Sequence, residues 1–131
     1  MENTLANSVK TADWKNEKHV PVISAPKIAK VGETIAIELT VGKEIPHPNT
    51  VEHHIEWIAL HYIPEGSTTS IELARFDLRA HGQAAKPNEG PAKTIPNAVA
   101  FVQLDKSGEL HATAYCNIHG LWTSSVPIKV I

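Results

Sequence analysis

Between Thr34 and Val41 the apolar residues Ile35, Ile37, Leu39 and Val41 alternate with Ala36, Glu38 and Thr40, the period of two expected of a strand with one buried face. Shorter apolar runs follow the same style at Val20 to Ser24, Ile28 to Val31, Ile55 to Ile63, Ile71 to Leu78, Ala98 to Leu104, Leu110 to Tyr115 and Leu121 to Val130. No stretch sustains a helical period. Within Ile71 to Leu78 the apolar phase shifts after Leu73, which predicts a bulge. Pro64-Glu65-Gly66-Ser67 and Asp105-Lys106-Ser107-Gly108 are turn signals, because glycine supplies the positive φ that tight reversals need. Seven or eight short strands with turns between them predict an all-β chain, an antiparallel sandwich or barrel rather than alternating α/β units. The longest loop is Ala80 to Asn97, with His81-Gly82 and three prolines. Residues 1 to 16 read as an irregular arm with room for one short helical turn. No repeat or boundary divides the chain, so 1–131 is expected to be a single domain.

The 131 residues are enough to bury a real core without disulfide or metal staples. Net charge is near −2 with both signs interspersed, which argues against a nucleic-acid binder with its basic stripe. The start, MENTLANSVK, has neither the basic region nor the apolar region of a signal peptide. The longest apolar run, Ile55 to Ile63, is too short to cross a bilayer and has His61 inside it. The expectation is a soluble cytoplasmic protein without membrane partners. The single cysteine permits no internal disulfide, in keeping with a reducing compartment.

That cysteine changes the picture, because it lies in YCNIHGLW (115 to 122) with His119 three residues after it. Cys116 has four candidate jobs: core filler, nucleophile with its base, half of a structural zinc site, or part of a redox metal centre. Residues so close in sequence are seldom nucleophile and base in cysteine hydrolases. The chain also holds eight histidines, and their positions matter more than their number. His19 begins a predicted strand in EKHVPVI, His47 sits between prolines in IPHPNT, and His53 and His54 open the strand HHIEWIAL. These and His119 all fall at strand ends or adjoining turns, whereas His61, His81 and His111 lie elsewhere.

In a sandwich, loops at one end gather in space although they are distant in sequence. Pro46 and Pro48 stiffen the loop that carries His47. If His53 and His54 both lie in a strand they point to opposite faces, so only one of the two belongs to a common site. Four imidazoles and one thiolate exceed what structural zinc uses, since it is usually four-coordinate and rich in sulfur. A blue-copper site commonly adds an axial methionine, and the only one here is Met1. Such a donor set suits mononuclear non-haem iron. The bland readings, a buried cysteine, a turn histidine and an ordinary Glu17-Lys18 surface pair, require independent coincidences at His19, His47, His53, Cys116 and His119. For Trp14 and Trp122 an interface role competes with simple packing.

The strings EKHVPVI (17 to 23), GKEIPHPNTVEHHIEWI (42 to 58) and YCNIHGLW (115 to 122) resemble the superoxide reductases, in particular the one-iron, neelaredoxin-type members. The resemblance runs from about Asp13 to Trp122. It implies an immunoglobulin-like antiparallel β-sandwich of about seven strands. It further implies that His19, His47, His53 and His119 are equatorial ligands of iron (Fe2+/Fe3+), with Cys116 the axial thiolate and His54 outside the ligand shell. Glu17 is similar to the family glutamate that occupies the sixth position in the oxidised resting state, and Lys18 to the lysine beside the open site. The four-cysteine domain of two-iron members is absent. The implied activity is one-electron reduction of superoxide to hydrogen peroxide without oxygen release, with electrons from a separate, rubredoxin-like donor. The family also suggests a homotetramer. The competing function is a non-catalytic metal-binding or electron-carrier module on the same sandwich, which would need no vacant site and no acid/base pair beside it.

Overall fold

The computed structural model describes residues 2–131; Met1, with its methionine sulfur, lies outside the described residues. One short helix, α1 (Leu5–Ser8), precedes eight strands: β1 (Pro21–Ser24), β2 (Ile28–Ala29), β3 (Thr34–Val41), β4 (Ile55–Pro64), β5 (Ile71–Asp77), β6 (Asn97–Gln103), β7 (Gly108–Cys116) and β8 (Gly120–Val130). The arm is therefore irregular around one helical turn, capped by the Thr4 side chain, which accepts from Asn7 N. No helix among the described residues is long and apolar enough to cross a membrane.

The strands form two sheets, one ordered β1-β3-β6 and the other β2-β8-β7-β4-β5. The alternation seen in the sequence is what seals them together. In β3, Ile35, Ile37, Leu39 and Val41 are buried, and they face Ile58, Leu60 and Tyr62 of β4, Leu110, Ala112 and Ala114 of β7, and Ile128 of β8 in one core. Leu39 is wholly buried, a position where truncation to alanine costs about 2–5 kcal/mol.

The bulge expected after Leu73 is present: Leu60 pairs with Ala74 while His61 pairs with Glu72, which leaves Leu73 unmatched. Two features depart from expectation. The sheet is not wholly antiparallel, because the two-residue β2 runs parallel to the end of β8, Ile28 beside Lys129 and Ala29 beside Val130. Also, β4 begins at Ile55, so His53 and His54 lie in the turn before the strand and not within it. A second register shift, between Ile55 and Trp57 opposite the end of β7, turns both Ile55 and Ile58 toward the core. It brings the start of β4 hard against Cys116, the kind of place where bulges re-aim neighbouring side chains.

Candidate metal centre

Antiparallel pairing decides which chain ends meet. Pro21 at the start of β1 lies opposite Val41 at the end of β3, and Ile55 at the start of β4 lies opposite Cys116 at the end of β7. His19 just before β1, His47 after β3, His53 before β4, and Cys116 and His119 at the β7-β8 reversal are thus delivered to one end of the sandwich. Gly42 and Gly120 make two of these reversals possible. Gly42 has φ 81°, and a Cβ there would lie 2.7 Å from the backbone nitrogen of His47, so only glycine lets the 42–47 loop fold back this closely. Gly120, at φ 78°, closes the three-residue reversal that carries His119.

Cys116 continues the inward series Leu110, Ala112, Ala114 of β7 and is 1% exposed. The core-filler reading of this residue is half right, since the thiol occupies a core position, but the last one, where the apolar interior gives way to imidazoles. Donor atoms of His19, His47, His53 and Cys116 all lie within 4.8 Å of one another. His119 stands at the rim, exposed, and completes the group from its Nδ1, which is 3.2 Å from His19 Nε2, 3.3 Å from His53 Nε2 and 3.8 Å from Cys116 Sγ. The backbone N–H of His119 points at the same sulfur over 3.4 Å.

The outer ring nitrogens explain which atoms face inward. His19 Nδ1 is 2.6 Å from Glu17 Oε1, which also accepts from the His19 backbone N–H at 2.5 Å. His47 Nδ1 is 2.7 Å from the carbonyl of Pro48. A proton held at Nδ1 leaves the lone pair on Nε2, the tautomer a ligand needs. In His47 that Nε2 is buried and has no hydrogen-bond partner. A buried ring nitrogen left unpaired is expensive, and a cation held jointly by these donors would satisfy it. The residues present therefore fit a metal, and the nitrogen-rich set with one sulfur fits iron.

The electrostatics agree. Burial pushes the His47 imidazole down to about 4; the Pro48 carbonyl opposes this, while the charges of His19, His53 and Lys18 add to it. Burial also lowers His53, with further lowering from His119, His19, Lys18 and His54. His19 is lowered by burial against the opposing hydrogen bond and charge of Glu17. For Glu17 burial works to raise the carboxyl, but the hydrogen bonds and charge of His19, with the Lys18 backbone, hold it below its usual range. The rings are thus neutral at pH 7, with lone pairs free for a metal. Half-buried Lys18 places its positive charge where His19, His47 and His53 all feel it.

His54 lies apart from the donors: its Nδ1 is 2.8 Å from Thr50 O, and its ring stacks on His81. His61 and His111 face each other across β4 and β7, away from the site. The sequence reading missed the role of Trp122. The indole is 9% exposed, stacks flat on His19 at 4.7 Å and 12°, and donates from Nε1 to His119 O over 3.3 Å. Its place two residues past Gly120 in β8 was the available signal. Lys10 bridges to the same strand and lays its ammonium 5.6 Å from the indole centroid, so the arm covers the site from one side. Trp14 serves the arm likewise, with Lys15 and Lys43 both over its ring.

Residues 11–125 match the family model described as desulfoferrodoxin. A superoxide reductase of Pyrococcus furiosus is 42% identical over 95% of this chain and 99% of its own length. A superoxide reductase (neelaredoxin) of Archaeoglobus fulgidus, solved in the reduced form, is 47% identical, superposes with a TM-score of 0.85, and is matched over 93% of this chain and 98% of that one. A crystal structure from Thermotoga maritima, 48% identical, superposes with a TM-score of 0.97 over 99% of both chains.

Proposed function

This chain belongs to the desulfoferrodoxin family and acts as a superoxide reductase, and we propose that His19, His47, His53, His119 and Cys116 hold the iron at which it does so. The observation that carries this reading is the orphaned, buried Nε2 of His47, turned to the side where three other ring nitrogens and one sulfur converge. Iron held there supplies the one-electron couple by which superoxide, an electron and two protons become hydrogen peroxide.

The chain's own residues do the rest. Lys18 attracts the anionic substrate despite the acidic net charge, since a single local cation at the mouth of a site raises encounter rates. Glu17 and Pro48 fix the tautomers of His19 and His47 through their Nδ1 atoms. Trp122 covers one face of His19 and excludes water from it. Cys116 would bring the strongest electron donor of the set, with the His119 N–H pointed at its sulfur. Both bonds from Glu17 to His19 fall on Oε1 of Glu17, so Oε2 would be the oxygen left for the open position in the oxidised resting state.

We read 1–131 as one iron-binding domain of a cytoplasmic homotetramer that receives electrons from a rubredoxin-like donor. The test is a stoichiometry on the iron-loaded protein with a reductant present, measuring peroxide formed and oxygen released per superoxide consumed. One peroxide per superoxide with no oxygen is expected. Oxygen in dismutase proportion overturns the reading.

A further inference from the structure

His81 belongs to none of the donor groups, yet it is 3% exposed. A buried imidazole is costly unless its polar atoms find partners, and each of its nitrogens faces an oxygen: Nδ1 lies 2.7 Å from Asn49 Oδ1 and Nε2 lies 2.8 Å from Leu78 O, a neutral ring donating its single N–H to one of the two. Asn49 is itself oriented, since its Nδ2 donates to Thr94 O over 2.9 Å, which turns its oxygen to His81. The His81 ring also lies flat on His54, centroids 3.6 Å apart and planes 10° from parallel. Asn49 is two residues past His47, and His54 immediately follows His53.

The same long loop reaches that segment a second time. Asn88, held at φ 72°, accepts from Val51 N at 2.7 Å and donates to both carboxylate oxygens of Glu52 at 3.1 and 2.9 Å. Within itself the segment is tied by His47 Nδ1 to Pro48 O and by Thr50, which bonds to His53 and His54; from outside, Asn117 also bonds to Glu52 and His54. Most of its definition therefore comes from outside, and most of that from the 78–94 loop.

We infer that His81 is a positioning residue for the metal centre: through Asn49 and His54, with Asn88 beside it, the loop clamps the segment that carries His47 and His53. The inference rests on the reading of those two histidines as ligands. It explains why a loop of this length carries a buried imidazole set between Asn49 and Leu78 and stacked on His54. A ligand segment fixed in advance loses less freedom when metal binds and lets it go more slowly; partners bonded directly to ligands change metal affinity about 10- to 100-fold, and His81, one contact further out, is expected at the low end of that range.

The experiment uses the iron-loaded protein, reduced under anaerobic conditions, and follows capture of ferrous iron by a chromogenic chelator; the visible sulfur-to-iron band is read after oxidation. In His81→Ala, iron release is expected to be about tenfold faster, with a displaced band, and His81→Gln, which keeps one donor, is expected to restore part of both. Asn88→Gly preserves the positive φ at an exposed position, and its release is expected to be several-fold faster. Release at the parental rate with an unmoved band in the His81 and Asn88 variants, whatever their unfolding midpoints, overturns the inference. Should His81→Ala fail to fold, Asn49→Leu and Asn88→Gly cut the clamp at its other links and decide it by the same criterion. A parent protein that retains no iron overturns the metal centre itself, a different result from a parent that retains it while the variants release at its rate.

Discussion

The two ends of the sandwich are built from similar reversals and finished differently. At the end remote from the metal centre, the 64–67 turn leads from β4 to β5 with a positive-φ Gly66 and the 105–108 turn leads from β6 to β7, and they are held by bonds within the protein. Glu65 N donates to Ser107 O, Val130 N to Ser107 Oγ, and Tyr62 Oη to Lys106 O. At the other end, Gly42 and Gly120 shape comparable turns, but the side chains they present are imidazoles and a thiol, and one buried nitrogen is left without a partner. A fold closes its ends with paired polar atoms where nothing further is asked of them. Where one end breaks that rule, with converging lone pairs, the break marks the site of function.

The sharpest way to break this contrast is to remove the sulfur. Cys116→Ser is expected to abolish the visible sulfur-to-iron band of the oxidised protein and with it superoxide reduction; an unchanged spectrum would take Cys116 out of the site. Removing iron exposes the next difference. A histidine whose folded pKa is depressed binds fewer protons than the unfolded chain at mildly acid pH, so stability falls as pH drops. For His47, held down to about 4, the fall in the apoprotein runs from about pH 6.5 to about 4. His19 and His53, also lowered, add to it. Urea midpoints across that range measure it, and His47→Gln is expected to lessen the slope. The remote turns carry no histidine to contribute.

Lys18→Ala comes next. A roughly three- to tenfold slower reaction with superoxide is expected, with weaker dependence on ionic strength; stopped-flow rates at two salt concentrations check it. Unchanged salt dependence would show that Lys18 does not steer. The smallest effect belongs to the other end. Tyr62→Phe removes the bond to Lys106 O and is expected to cost about 1 kcal/mol of stability while leaving the superoxide rate unchanged. A loss of activity there would show that the two ends are not independent.

The strands were legible because burial imposes a period of two, and even the bulge at Leu73 showed as a break in phase. The candidate ligands were legible because they sit at strand ends, which antiparallel pairing must bring together in sets. Other features depend on side chains that meet from distant segments. The stack of His54 on His81, the Asn49 and Asn88 braces, and the indole laid over His19 leave no periodic mark. Nor does the two-residue parallel pairing of β2, which is too short to pattern. His53 and His54 illustrate both cases: their spacing predicted that one would face the site and the other away, but the reason is a turn before β4 and not strand alternation.

Cys116 occupies the final inward position of β7. A slip of one residue in the pairing of β7 with β4 or β8 would turn every inward side chain to the other face, the sulfur among them. The place of the thiol beside the imidazoles is thereby set by the same pairing that buries Leu110, Ala112 and Ala114, so the core and the donor set stand or fall on one register.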